Sequence, residues 1–156
     1  VYHPLAFYAA YFSIRAKAFD LRIMTGDLKT QMTEFNRIKA LDRAASPKDK
    51  DLMSALEVSM EMYQRGYRFV NVDIQHSEAR RFSIKDGALL PPFLAIDSLG
   101  ETVADAIVAE REERPFTSLK DLQRRCKVSN TIIDLMKELK CCGELPEDEQ
   151  MSLFGA

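Results

Sequence analysis

Cysteine and histidine are scarce: three cysteines (Cys126, Cys141, Cys142) and two histidines in 156 residues. An odd cysteine count argues against a disulfide framework. His3 and His76 lie far from the cysteines, so no metal-ligand spacing exists and no metal site is expected. The bland reading of the three thiols is burial in a reducing cytosol. No apolar stretch is long enough to cross a bilayer, because the longest, Pro4 to Phe12, is short and broken by tyrosines. No membrane partner and no signal peptide are therefore expected. Charge of one sign is also lacking. The net charge is −2, which excludes a chain that binds nucleic acid through bulk positive charge.

What is present is a core-forming composition: 46% hydrophobic and 29% charged residues, enough for one domain or two small ones. The charge is unevenly spread. Residues 1–46 carry seven basic against four acidic side chains, residues 47–90 seven of each, and residues 91–140 eight against nine. Within the last block, 115–140 hold six basic and three acidic residues, and 141–156 then carry four acidic and no basic ones. Any nucleic-acid contact must come from local patches. The chain begins at Val1 without methionine and enters a helical pattern at once, which reads as an internal start within a longer protein.

Residues 4–20 carry Leu5, Tyr8, Ala9, Phe12, Ala16 and Phe19 at helical spacing, with Pro4 suited to the first turn. Met24 to Asp27 interrupt the pattern. A second helix is expected over about 27–40 with Met32, Phe35 and Ile38 inward. Ser46-Pro47 opens a third, with Leu52, Leu56, Met60 and Tyr63 as its stripe and Gly66 as its end. The pattern then turns β-prone over 67–72. Arg81–Ile84 and Ala88–Leu90 flank Asp86-Gly87, a strong hairpin signal. From Phe93 short helices resume. One has Val103, Ala104, Ile107 and Val108 buried and is stopped by Pro115. One is capped at Thr117/Ser118, and a last spans about 129–140 with Ile132, Ile133, Met136 and Leu139 inward. The expected class is mainly α with a small β-hairpin element and a tandem helical module near the C-terminus. The expected units are 1–90, 91–140 and a flexible acidic tail, 141–156.

Ile96-Asp97-Ser98-Leu99-Gly100, followed by Ala104, Ile107 and Arg111, resembles a helix-hairpin-helix DNA-binding motif. In that motif a tight turn leaves backbone N–H groups unpaired at a helix N-terminus, where they hold a phosphate without reading base sequence. The motif usually has glycine where Ser98 stands, and Asp97 and Glu101 carry the wrong sign for phosphate. The alternative is an αα-hairpin in which Gly100 serves only the turn. Lys127-Val128-Ser129 resembles a degenerate second hairpin without glycine. Ser98, Leu99, Gly100, Thr102, Lys120, Arg124, Arg125, Lys127 and Ser129 are the candidate DNA contacts, the basic ones having a solvated face as their alternative. The ending Gln150-Met151-Ser152-Leu153-Phe154 resembles the sliding-clamp-binding peptide of bacterial polymerases, the alternative being an apolar tag that packs on its own domain.

Taken together, His3–Phe12, Ala45-Ser46-Pro47-Lys48, Leu90-Pro91-Pro92-Phe93, Phe116-x-Ser118-x-x-Asp121-Leu122-Gln123 and the terminal pentapeptide resemble the C-terminal part of the PolC-type DNA polymerase III alpha subunits. The resemblance covers nearly all 156 residues. It implies a cytoplasmic replicative nucleotidyltransferase whose partners are duplex DNA, the bacterial sliding clamp and other replisome subunits. It implies distal fingers over residues 1–90, in which Arg15, Lys17 and Arg22 are unassigned basic candidates. It also implies magnesium held by palm carboxylates outside this segment, so that this chain has no cofactor and is inert alone. Asp73 and Asp86 form no convincing catalytic pair. Two other readings stay open: a helix-hairpin-helix DNA-repair protein, and a non-catalytic protein-interaction module.

Overall fold

Residue choice at each helix start explains most of the boundaries. The computed structural model describes residues 3–148. Helix α1 spans Pro4–Ile14, with proline in its first turn. The continuous helix expected to residue 20 does not form. A 3₁₀ turn (Ala16–Ala18) follows, and then α2 (Leu21–Met24), where the Asp20 carboxylate accepts from the Ile23 N–H at 3.1 Å. An aspartate that can cap competes with helix continuation. The break also has a packing reason. Two side chains seven residues apart stand about 10 Å apart along a straight helix. Here the Phe12 and Phe19 rings lie 6.2 Å apart, and both reach Phe69, at 4.9 and 4.8 Å.

Helix α3 (Leu28–Leu41) is capped by Asp27, and α4 (Pro47–Gln64) opens with a reciprocal capping box between Ser46 and Asp49. Their inward faces differ from the expected stripes. On α3 Ile38 is buried, but Met32 is 48% exposed and Gln31 takes the interior position. Gln31 donates to the Met24 carbonyl at 3.1 Å and accepts from Ser59 Oγ of α4 at 2.6 Å. On α4 Ala55, Leu56, Ser59 and Met62 are buried, so the face is rotated away from Met60. A satisfied polar pair holds this interface, which apolar periodicity does not register. Gly66, at φ +89°, ends the helix.

Strands β1 (Ser83–Lys85) and β2 (Ala88–Leu90) pair antiparallel, with Ser83 opposite Leu90. Asp86 and Gly87 both have positive φ, as the two-residue turn requires. The β-prone stretch 67–72 forms no ladder. It is fastened by single bonds on either side of Leu89: Val70 N–H to the Leu89 carbonyl and Leu89 N–H to the Arg68 carbonyl.

Three helices follow: α5 (Glu101–Glu113), α6 (Leu119–Cys126) and α7 (Asn130–Glu138). The hydrophobic core runs without interruption from Tyr8 through Phe93 to Cys142. Residues 71–82 form its seam. Asn71 donates to the Leu139 carbonyl at 2.7 Å, and Arg111 donates to the carbonyls of Ile74 and Ser77 at 3.1 and 2.9 Å. Phe82 N–H donates to Ser13 Oγ at 2.9 Å. All three cysteines are free and buried, and burial pushes the Cys126 thiol up to about 11. Among the described residues, no helix is long and apolar enough to cross a membrane.

Candidate nucleic-acid interface

Residues 93–138 contain two copies of one arrangement. In the first, a 3₁₀ turn (Phe93–Ala95) leads through Ser98-Leu99-Gly100 into α5. In the second, α6 leads through Lys127-Val128-Ser129 into α7. Ser98 and Lys127 both occupy the left-handed region, at φ 65° and 55°. Leu99 and Val128 both bury their side chains. Gly100 and Ser129 both have extended N-cap backbone, at φ −79°, ψ 166° and φ −68°, ψ 158°. The degenerate second hairpin is thus a geometric repeat of the first.

The two hairpins differ at their helix starts. Ser129 Oγ accepts from the Ile132 N–H at 3.3 Å, whereas no side chain caps α5. Gly100 does not need glycine's freedom, because its φ is ordinary and a Cβ there would meet nothing within 4 Å. The turn therefore does not account for this glycine. Its missing side chain leaves open space in front of the uncapped first turn of α5, which carries the exposed Thr102. A first turn of this kind presents N–H donors and the positive end of the helix dipole.

The electrostatics near this opening are mixed. Asp97 and Glu101 are exposed. Arg80, which no local motif singles out, comes within 3.5 Å of Glu101 and donates to Asp105 at 2.6 Å. It thereby offsets two of the carboxylates around the start of α5.

The basic candidates have different surroundings. Lys127 is exposed at the second hairpin. Arg124 is exposed and pairs with Asp121 at 2.8 Å. Lys120 is exposed but meets Asp148 at 3.0 Å, and Lys137 pairs with Glu147. The Leu119 and Lys120 N–H groups donate to the carbonyls of Pro146 and Glu147, so the start of the acidic tail lies across the first turn of α6.

Arg125 is not at the surface. Its side chain is 7% exposed, stands 4.6 Å over the Phe116 ring and donates to the carbonyls of Glu110, Arg114 and Pro115. It also pairs with Glu110 and with the fully buried carboxylate of Asp121. The arginine ties the end of α5 to α6, which leaves it no donor turned toward a ligand.

Asp121 is the hub. It accepts from the Thr117 N–H, Arg124 and Arg125, and Arg114 approaches within 3.8 Å. Burial alone would raise its carboxyl, but these donors outweigh burial and hold it below the ordinary carboxylate value. The spacing Ser118-x-x-Asp121 carried the local signal, because Ser118 Oγ accepts from the Asp121 N–H at 2.9 Å. Asp73, considered with Asp86, instead meets His76 and Lys85, at 2.6 and 3.1 Å. The five residues Gln150, Met151, Ser152, Leu153 and Phe154 lie outside the described residues.

Comparison with known proteins agrees with this geometry. The helix-hairpin-helix motif family matches residues 66–150. A DNA polymerase III PolC-type of Caldanaerobacter subterraneus subsp. tengcongensis is 43% identical over 154 residues, which are 99% of this chain. Proteins of the same description from Streptococcus suis and Streptococcus pyogenes are 45% and 43% identical over 157 residues. The chain spans 11% of the length of each of these relatives.

Proposed function

We propose a DNA-holding role from one premise: this chain belongs to the helix-hairpin-helix family, and 99% of it aligns with a segment of PolC-type DNA polymerase III. In this reading the segment grips duplex DNA behind the active site of a replicative polymerase. The observation that carries it is the uncapped start of α5 behind Gly100, whose open Cβ direction serves neither the turn nor the packing. Two hairpins with the same backbone suit the two phosphate strands of a duplex, and such contacts position DNA without reading sequence. Lys127, and Lys120 and Arg124 once released from their carboxylates, supply the neighbouring positive charge.

The terminal Gln150–Phe154 would tether the polymerase to the sliding clamp. Leu153 and Phe154 are apolar anchors on an acidic tail, which suits a pocket on a partner and keeps the effective concentration high during movement. Nucleotidyl transfer and its magnesium belong, in this reading, to other parts of the polymerase. Among the described residues no group of three or more His, Cys, Asp or Glu is placed to hold a metal ion.

One experiment with two arms tests the reading. Random-sequence duplex is titrated by fluorescence anisotropy at rising salt, with the chain and with Gly100→Glu. Steep salt-dependent binding, weakened at least tenfold by Gly100→Glu with the melting temperature retained, is expected. A sliding clamp is titrated by calorimetry with the chain and with Phe154→Ala. Micromolar binding, about −8 kcal/mol, abolished in the variant, is expected. Absence of duplex binding at low salt removes the DNA-holding role. Absence of clamp binding removes the tether.

A further inference from the structure

The first hairpin by itself carries the wrong charge for DNA, since Asp97 and Glu101 flank it and both are exposed. Arg80 reaches Glu101 and Asp105, which leaves Asp97 to be offset by another group. An attractive counterpart has to come from elsewhere in the fold. A groove of about 590 Å³ is lined by Asp97, Ser98 and Gly100 of this hairpin together with Lys17, Arg22 and Lys48 from the N-terminal helical region.

The three cations differ. Arg22 is engaged with Glu138 of α7 at 2.5 Å, a bond that joins α2 to the hairpin module. Lys17 and Lys48 are exposed, and neither forms an ion pair among the described residues. Two acids oppose them in the groove, Asp97 and Asp20, the second of which also accepts from the Ile23 N–H as the α2 cap and keeps its charge. Two ammonium groups without a carboxylate partner thus share a groove with the Gly100 opening. Lysine is a flexible point charge on a long stem and suits a phosphate backbone that moves along its contact surface.

We propose that Lys17 and Lys48 contact phosphates of the DNA strand held by the first hairpin, so that the N-terminal helices and the hairpin module form one DNA-binding surface. This rests on the DNA-holding reading above. Asp97 then serves as a local brake: its repulsion is met by two lysines, and binding is retained without a tight lock on one register.

The test measures anisotropy with random-sequence duplex over a range of salt, using the full 156-residue chain. Lys17→Ala with Lys48→Ala is expected to lower the slope of log affinity against log salt by about 1.8, or about 0.9 for each phosphate no longer neutralised. Lys17→Arg with Lys48→Arg keeps the charge and is expected to keep the slope. Lys29→Ala with Lys39→Ala removes two exposed lysines of α3 outside the groove, and is expected to change the slope far less. The inference is overturned if the groove pair changes the slope no more than the α3 pair does. If the chain binds and Gly100→Glu abolishes binding while the groove pair has no effect, this inference alone falls. If the unaltered chain shows no salt-dependent binding, the DNA-holding reading falls with it.

Discussion

Ser98-Leu99-Gly100 and Lys127-Val128-Ser129 trace the same turn with different chemistry. Each has a non-glycine residue at positive φ, a buried apolar residue and an extended N-cap. The apolar residue explains why the turn survives without its usual glycine. Burying Leu99 or Val128 contributes about 1.5–3 kcal/mol, which outweighs the roughly 1–2 kcal/mol cost of a left-handed serine or lysine. The helix starts then diverge. Ser129 satisfies its own helix, whereas Gly100 leaves α5 uncapped. The second hairpin is internally complete and the first is open. An open helix start adds little to stability, and in the proposed DNA-holding role it leaves the first turn of α5 more accessible to a phosphate than that of α7.

The largest expected effect comes from the junction that holds the two hairpins in register. Asp121→Ala strands Arg125 in a buried position without its carboxylate and should cost about 3–5 kcal/mol, read by urea unfolding. The carboxyl lies lower in the folded chain than in the unfolded one, so its contribution is full above the unfolded value, about 3.9, and disappears as pH falls toward the folded value. Stability of the unaltered chain should decline below about pH 4, and the variant should show a shallower decline. An unchanged acid profile in Asp121→Ala would remove Asp121 from this role.

A medium effect separates the two caps. Ser129→Ala removes a side-chain cap and should cost about 1 kcal/mol, while its loss of duplex affinity should be smaller than that of Gly100→Glu because the backbone donors of the second hairpin stay in place. Gly100→Glu should show the reverse pattern, with affinity reduced and stability kept. If both variants are destabilised alike, the contrast between an open and a closed hairpin disappears.

The smallest effect concerns backbone strain. Ser98→Gly relieves the left-handed penalty but gains unfolded-state entropy, for a net stabilisation of about 0.5 kcal/mol in thermal unfolding. Destabilisation instead would mean that the serine hydroxyl contributes more than its backbone costs.

The readable features were those written in local chemistry. Ser46-Pro47 and Asp49 announced the start of α4, Asp86-Gly87 announced the turn, and Ser118 and Ser129 announced α6 and α7. The tandem plan was also legible, because the apolar residues of each hairpin recur at similar offsets. Features that depend on distant partners were not legible. Gln31 looks like a surface residue until Ser59 of α4 faces it, and Arg125 looks like a phosphate ligand until Glu110, Phe116 and Asp121 enclose it. Arg80 gains its place at the start of α5 only because residues 71–82 run between the two halves of the core.

The sequence by itself therefore determined where most helices begin, α2 excepted, where the hairpin turns and which residues sit in the two helix-hairpin-helix turns, since capping and proline act within a few residues. Tertiary structure alone decided which charges remain available. The attraction of an arginine or lysine for a phosphate is weakened where a carboxylate reaches it first, and that depends on helices far apart in the chain. Arg125 is accordingly consumed inside the module, and Lys120 and Lys137 are met by the acidic tail. Lys17 and Lys48, remote in sequence from any hairpin, come to share a groove with Gly100.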